Sequence, residues 1–467
     1  MMNVSRRLFL SHTAAAGALG TFPFIRASAQ GSANEKINIA CIGIGNRGES
    51  VVNSLFDTKL CNVVALCDTD MGAKHTLKIM QKFPNAQRFQ DFRKMFDKIG
   101  NQIDAVSVAT PDHSHFPICM MAMKLGKHVY VEKPMAHTFQ QLDLMMAAEK
   151  KYKVATQMGN QGHSGSNYWQ YKALTEAGVI KNVRKIVGHM NGGRRWHKWK
   201  GIVPGFRDGM KVPDTLDWDT WLVQVPFHDF HTDYVGGEWR SWFEFGNGAL
   251  GDWGAHILDT SHEFLKLGLP TEVNPLKMEG WNPFVFPMAS TLQFKFPERG
   301  PTLPACDLFW YDGTDNIPEI PKGYGKALES GAPESGGGSN AGKKLGPGKE
   351  IYTDDLIFKG SSHGAALSVI PDEKAKEMKT VLTEYKKDET NHARNFLRAC
   401  KGDGTCVSRF EVAAPLCQMM ALGVLCQRVN AKLEFNRETR TITNHEVAKG
   451  LLVGPPPRKG WECYYQV

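Results

Sequence analysis

Asp252 and His256, in the run Gly251-Asp252-Trp253-Gly254-Ala255-His256, have the types and spacing for proton transfer. On a helix, positions four apart share a face. An imidazole can move a proton near neutral pH, and a carboxylate beside it can hold the ring or a substrate hydroxyl. The same two side chains could ligate a metal, but no third ligand stands at a recognisable spacing and the ten cysteines contain no C-x-x-C. No metal site is therefore expected. Lys133, in Glu132-Lys133-Pro134, follows the apolar run 128–131 and so sits where a buried strand ends. Ligands of doubly wound sheets bind at strand ends, which favours a functional lysine over a surface one. Gly43, Gly45 and Gly48 spell G-x-G-x-x-G straight after the apolar run 37–42, and a second run, 63–67, ends in Asp68. That order suits a dinucleotide. Gly43 permits the tight turn, Gly45 lets the backbone approach a pyrophosphate, and Gly48 lets helix and strand pack closely. A helix starting near Asn46 and Arg47 aims its free N–H groups at the phosphates. Asp68 accepts from ribose hydroxyls and repels a 2′-phosphate, so NAD is expected over NADP.

The elements that must position these residues follow from periodicity. Buried strands are predicted over 104–110, 128–131 and 154–156, and helices over 116–125 and 138–152. This alternation predicts a doubly wound parallel sheet. Residues 157–163 read as a polar, glycine-rich linker and cleft floor. Beyond it, 168–177 has helical spacing and 183–190 reads as a strand. Leu292, Phe294 and Phe296 alternate with polar residues, and strands are expected at 307–311 and 355–358. The second part is therefore α+β, with an open, mostly antiparallel sheet. One face covers helices and the other serves a homo-oligomer. Residues 313–349, rich in Gly, Pro, Ser and Lys, read as a long exposed loop, and two helices are predicted near 391–400 and 407–430. Arg194, Trp196, His197, Trp199, Trp218, Trp221, Trp239, Arg240 and Trp242 are dense enough for a carbohydrate cleft, where indoles stack on sugar C–H groups, or for an aromatic core. Asp259 and His262 read as structural members of the Asp252 helix.

Three of these motifs together, G-x-G-x-x-G near the start, T-P-x-x-x-H at Thr110-Pro111 to His115, and Glu132-Lys133-Pro134, resemble the Gfo/Idh/MocA family, named for glucose–fructose oxidoreductase and inositol dehydrogenase. The resemblance extends over nearly all of the chain beyond residue 29. It implies an N-terminal Rossmann domain and a C-terminal α+β domain whose last helices return to the first. It implies that Lys133 lies beside the nicotinamide and the reacting hydroxyl, and that Asp252 and His256 meet it across the cleft. Thr110, Pro111, His115 and Glu132 are implied to hold the cofactor, and His113 and Gln161 join them as candidates. His163, Tyr168, Arg194, Trp196, Trp239 and Arg240 are the substrate-binding candidates. The implied chemistry is hydride transfer from a sugar or glycoside hydroxyl to bound NAD, with either Lys133 or His256 as the base. Some members resemble the NAD-dependent glycosidases of glycoside hydrolase family 109, which oxidise, eliminate, add water and re-reduce. That route needs a further base, for which His163, Tyr168 and His197 are candidates. A sugar-binding protein without catalysis is a third reading, which the intact Lys133, Asp252 and His256 oppose.

The chain opens on Ser5-Arg6-Arg7-Leu8-Phe9-Leu10, followed by a weakly apolar run and Ala27-Ser28-Ala29. This fits a twin-arginine signal over 1–29, and so a folded, cofactor-loaded protein destined for the periplasm. The domains expected are then 30–156 and 157–467. Removing the signal's three arginines lowers the formal charge from +8 to +5. That charge is too mild and too dispersed for a nucleic-acid partner. Nor is any later segment expected to be apolar enough to span a bilayer. Cys41, Cys61, Cys67 and Cys119 read as buried thiols, and Cys400 and Cys406 could pair.

Overall fold

The computed structural model describes residues 36–190, 203–329, 345–388 and 390–467. The leader motif, Arg194, Trp196, His197, Trp199 and the centre of the 313–349 segment lie outside the described residues.

Strands β1 (Ile37–Ile42), β2 (Cys61–Cys67), β3 (Gln87–Phe89), β4 (Ala105–Val108), β5 (His128–Val131) and β6 (Thr156–Met158) form one parallel sheet, ordered β3-β2-β1-β4-β5-β6. All four residues of β4 are buried, as both faces of such a sheet require. The strand order reverses between β1 and β4, which opens a crevice at their carboxyl ends. Helix Phe139–Tyr152 starts with reciprocal capping. Thr138 Oγ1 accepts from the Gln141 amide at 3.3 Å, and Gln141 Oε1 accepts from the Thr138 amide at 3.2 Å.

The expected linker is partly strand. β6 runs to Met158, and residues 161–164 form a tight turn. Gln157 and Asn160 are buried rather than solvated, and each side chain makes one hydrogen bond. Gln157 Nε2 donates to the His392 carbonyl at 2.6 Å, and Ser408 Oγ donates to Asn160 Oδ1 at 2.7 Å.

Nine strands form the second sheet: β7 (Lys185–Met190), β8 (Glu272–Glu279), β9 (Ala289–Phe296), β10 (Cys306–Asp312), β11 (Gly348–Tyr352), β12 (Ile357–Ser361), β13 (Ser368–Ile370), β14 (Leu433–Asn436) and β15 (Thr441–Ile442). Their order is β13-β12-β11-β7-β10-β9-β8-β14-β15, antiparallel except for β7 beside β10. Leu292, Phe294 and Phe296 face the core from β9, as their alternation predicts. β8 is hidden in the sequence by Pro275, which the sheet absorbs with a register shift between Pro275 and Lys277. Lys349, expected in an exposed loop, is instead buried in β11. Its ammonium donates to Asn167 Oδ1 and Thr260 Oγ1, each at 3.0 Å, while burial pushes its pKa down to about 8.

Helix Phe410–Val429 crosses the middle of the molecule. Its length and composition do suffice for a membrane span, contrary to expectation, but most of its surface is buried against protein. Met420 packs over Gly254, and Gly423 sits where a Cβ would lie 2.6 Å from Leu250 Cδ2 and 2.7 Å from Phe294 Cζ. The helix thus ties the second sheet to helix Gly248–Ile257. Asp259 and His262 fall on a separate short helix, Asp259–Phe264, after a break at Leu258. All described cysteines are free thiols, Cys400 and Cys406 included.

Residues 203–247 form a strap that reaches back to the parallel sheet. The Asp217 amide donates to the Thr69 carbonyl at 2.9 Å, Gln90 Nε2 donates to the Thr215 carbonyl at 2.8 Å, and the His113 amide donates to the Phe245 carbonyl at 3.2 Å. The strap has its own core of Trp218, Trp221, Phe230, Tyr234, Trp242 and Phe245. Trp218 and Trp221 stack with centroids 4.6 Å apart. The described tryptophans expected to stack on sugar, Trp218, Trp221, Trp239 and Trp242, all belong to the strap's core.

Candidate active site

The crevice at the strand ends opens into a cleft of about 1190 Å³, floored by the glycine loop and roofed by the strap and helix Gly248–Ile257. This exceeds the volume of a drug-sized pocket, as a dinucleotide with a second molecule would require. Each glycine of the loop has a distinct reason. Gly43 has φ +75°, and a Cβ there would lie 2.7 Å from the Ala109 carbonyl. A Cβ on Gly48 would lie 2.1 Å from the Gly43 oxygen, and one on Gly45 would meet the His75 ring. Asn46, at φ +49°, leads into helix Arg47–Asp57. These features fit a phosphate-binding turn. Asp68 Oδ2 accepts from the Ile44 amide at 3.0 Å, and Oδ1 from the Asp70 amide at 3.1 Å. Burial raises the Asp68 pKa, against the pull of those two bonds and of His75. Asp68 thus secures the glycine loop.

Glu132 and Lys133 follow β5 directly. Glu132 Oε1 pairs with Arg47 at 2.8 Å and accepts from Gln161 Nε2 at 3.5 Å. A Cβ on Gly159 would strike that carboxylate at 2.4 Å. Lys133 Nζ lies 2.6 Å from Asp252 Oδ1 and 2.8 Å from the Asp252 carbonyl, with both side chains nearly buried. Arg240 Nε approaches the same Oδ1 at 3.6 Å, and its guanidinium lies 4.1 Å from the Trp239 ring centroid. His256, one turn beyond Asp252, lines the same cleft and stacks on His363, with centroids 3.7 Å apart and planes at 21°. Gly251 leaves room for the Asn247 side chain, whose Cβ would lie 2.2 Å from a Cβ there. Asp112 Oδ2 accepts from the Asn247 amide at 3.0 Å and so fixes the start of the helix. Burial raises the Asp112 pKa, opposed by His115, Arg240, Asn247 and His137.

The cleft therefore gathers Gly43, Gly45, Asn46, Arg47, Asp68, Thr110, Pro111, Glu132, Lys133, Gln161, Trp239, Arg240, Asp252 and His256. Four candidates lie elsewhere. His113 is wholly buried, with Nε2 2.8 Å from the Trp221 carbonyl and Nδ1 3.2 Å from that of Phe245, so it fastens the strap and does not line the cleft. His115 braces the cleft from behind, with Nδ1 2.9 Å from the Pro134 carbonyl and Nε2 2.8 Å from that of Thr110. His163 is buried between Asp259 (2.8 Å) and Glu263 (3.1 Å). Burial lowers its pKa, but the two carboxylates outweigh it and raise the ring to about 10. Tyr168 packs on that ring, with centroids 4.6 Å apart. Neither His163 nor Tyr168 reaches the cleft. Arg194 and Trp196 lie outside the described residues. Sequence reasoning missed His75, Asp112, Trp253 and His363, which also line the cleft. Asp112 stands in the same strand-end run as Thr110, whereas His363 carries no local signal. Among the described residues, no three His, Cys, Asp or Glu side chains converge to hold a metal ion.

Burial is the largest influence on His113 and pushes its pKa down to about 3, against the two carbonyls that raise it. His392, likewise buried, is lowered to about 4. Unfolded, these rings titrate near 6.5. The unfolded chain therefore takes up protons first on acidification. Their contribution is complete above about pH 6.5 and drains away as pH falls toward 3 to 4. Urea midpoints should drop between neutral pH and about two units lower, and His113→Gln should flatten that slope. An equally steep slope in the variant would show that His113 is not buried neutral.

Comparison with known proteins agrees with this geometry. Residues 37–160 match the Gfo/Idh/MocA oxidoreductase family, NAD-binding Rossmann fold, and residues 165–279 match the C-terminal alpha/beta domain of the same family. A glycosyl hydrolase family 109 protein of Streptomyces niveus is 28% identical over 183 residues, which is 37% of this chain and 35% of that protein. The match thus spans only about a third of that relative's length. Among solved structures, the WlbA dehydrogenase from Bordetella pertussis, in complex with NADH and UDP-GlcNAcA, has a TM-score of 0.55 at 13% identity, covering 86% of this chain and 99% of that one. Levoglucosan dehydrogenase, in complex with NADH and levoglucosan, has a TM-score of 0.56 at 15% identity, covering 86% and 99%. At such identities, these structures share the fold.

Proposed function

The chain belongs to the Gfo/Idh/MocA oxidoreductase family, and on that premise we propose that it oxidises a hydroxyl of a sugar or glycoside. The observation that carries this reading is the buried contact of Lys133 with Asp252 in a cleft shared with His256 and the glycine loop. The glycine loop, Arg47, Asp68, Thr110, Pro111, Glu132 and Gln161 would hold NAD, which supplies the hydride acceptor when bound. The Lys133 ammonium, oriented by Asp252, stabilises negative charge developing on the substrate oxygen. His256 takes the hydroxyl proton, directly or through Asp252. Trp239 and Arg240 offer a face and a cation to the rest of the sugar. The sugar dehydrogenases of the same fold support this substrate class.

A second reading keeps the same first step. The family 109 relative supports a glycosidase that oxidises, eliminates the glycosidic substituent, adds water and re-reduces. The two readings part on the nicotinamide absorbance of purified protein given methyl and 4-nitrophenyl glycosides. A lasting rise marks net dehydrogenation, and product without a lasting rise marks internal recycling. The absence of both a rise and product with every sugar or glycoside refutes both readings.

Replacing Lys133 by Met keeps the length and removes the charge, so turnover should fall roughly a hundredfold or more with NAD still bound. His256→Ala should lose a similar amount. Because the two act on one hydroxyl, the double variant should be little worse than either single. Near-native turnover in either single variant, at unchanged cofactor occupancy, would sink the assignment.

The preference for NAD rests on Asp68. Asp68→Asn keeps an acceptor for the Ile44 amide but removes the charge that repels a 2′-phosphate. The ratio of NAD to NADP affinity should fall by roughly tenfold or more, the scale of one close like-charge repulsion. A wild-type protein that binds NADP as tightly as NAD would contradict the role.

Export through the twin-arginine route is proposed on Arg6 and Arg7 within Ser5–Leu10 and on the 27–29 cleavage pattern. Changing both arginines to lysine should hold the precursor in the cytoplasm, and an unaltered periplasmic yield would disprove it. Self-association through the outer face of the second sheet is proposed on that sheet being open and mostly antiparallel, with one face left over from helix packing.

A further inference from the structure

His363 is a cleft residue that no motif pointed to, and its backbone is under strain. It sits in the turn after β12 at φ +57°, a conformation disfavoured for residues with a Cβ. Three contacts hold the turn there. The His363 amide donates to the His256 carbonyl at 3.1 Å, and the Asn167 amide donates to the Gly364 carbonyl at 3.0 Å. Gly364 also lies so close to Gly162 that a Cβ on either would clash near 3 Å. The ring itself lines the cleft, with Nδ1 3.0 Å from Ser362 Oγ and the edge of Trp253 against it at 5.1 Å between centroids. The surroundings therefore force a histidine into an unfavourable backbone to place its ring flat on His256.

Two stacked imidazoles 3.7 Å apart that both line the cleft would meet one substrate a single ring-thickness apart. Groups on adjacent carbons of a sugar ring are separated by a similar distance. If His256 serves the reacting hydroxyl, the ring stacked on it serves the neighbouring carbon. We propose that His363 is the base that removes the proton from the carbon next to the newly formed carbonyl. This rests on the sugar-oxidation reading above.

The step balances with NAD as the oxidant. Oxidation moves a hydride from the carbinol carbon to the nicotinamide and the hydroxyl proton to His256, leaving a C=O. The adjacent C–H is then acidified by that carbonyl. His363 accepts its proton, and the C–H electron pair forms the enolate C=C, with the negative charge on the carbonyl oxygen beside the Lys133 ammonium. Return of the proton restores the ketone. Where a glycosidic substituent stands on the next carbon, the same electron pair instead expels it with its bonding electrons. Several other cleft side chains are already engaged. Glu132 is paired with Arg47, Asp112 with Asn247, and Asp252 with Lys133, while His75 lies at the glycine loop.

The test uses the NAD-loaded protein in deuterated water, with whichever methyl or 4-nitrophenyl glycosides reduce the bound nicotinamide. Deuterium at the carbon next to the oxidised one is read by mass spectrometry and NMR, and reduction by absorbance. His363→Asn suits the left-handed backbone but cannot act as a base at carbon, and His363→Gly repeats the test with a second residue suited to that conformation. Retained NAD and an unchanged thermal midpoint verify the fold. The expected result is that wild type incorporates deuterium and that both variants lose about a hundredfold in the ratio of exchange to reduction, the scale of general base catalysis. An unchanged ratio, or wild-type reduction without deuterium uptake, overturns the assignment and leaves the oxidoreductase reading intact. Equal loss of both steps also overturns it, leaving His363 as a support for His256. Failure of every glycoside to reduce NAD removes both readings.

Discussion

The contact between Lys133 and Asp252 constrains the rest of the molecule. It joins the end of a strand in one sheet to a helix packed on the other, at 2.6 Å and almost out of water. A buried pair of this kind gives little net stability, but removing one partner strands the other at a cost of about 3–5 kcal/mol. The geometry must therefore be enforced from both sides. On the lysine side, His115 grips the Pro134 and Thr110 carbonyls. On the aspartate side, Asp112 grips Asn247 at the start of the helix. Gly251 and Gly254 are small so that Asn247 and Met420 can come close. Histidines and acids that look catalytic in the sequence are in part the clamps that hold this one contact.

The cofactor half was legible because its physics is local. A tight turn, a close backbone approach and a strand-end acid fall within thirty-two residues, 37–68, and each leaves its own residue type. Strands β1, β2, β4 and β5 read as apolar runs and the long helices announced themselves by spacing, whereas β3 (Gln87–Phe89) and β6 (Thr156–Met158) carry polar residues and left no such trace. The second half was less legible for a physical reason. Its sheet is stitched from segments far apart in sequence, β7 beside β10 and β11, with β8 masked by Pro275. Its aromatics serve a local core, which leaves the same compositional trace as a sugar platform. His163 has the chemistry of a base, yet Asp259 and Glu263 absorb it into a buried ion cluster. His363 reaches the cleft only because β12 pairs with β11 and the turn docks on Gly162, facts of tertiary structure that no local pattern encodes.

The strap over the parallel sheet bears on time rather than on equilibrium. Its lining residues, from Pro213 to Arg240, roof the same space that the glycine loop floors. It is fastened at Thr69, Gln90 and His113 by main-chain and amide bonds and filled by stacked indoles. Should a dinucleotide beneath it depart only when those fastenings loosen together, a local opening slower than side-chain motion, chemistry that returns its electrons before the roof lifts would proceed at its own pace, whereas chemistry that must trade one oxidation state for the other would wait for the door.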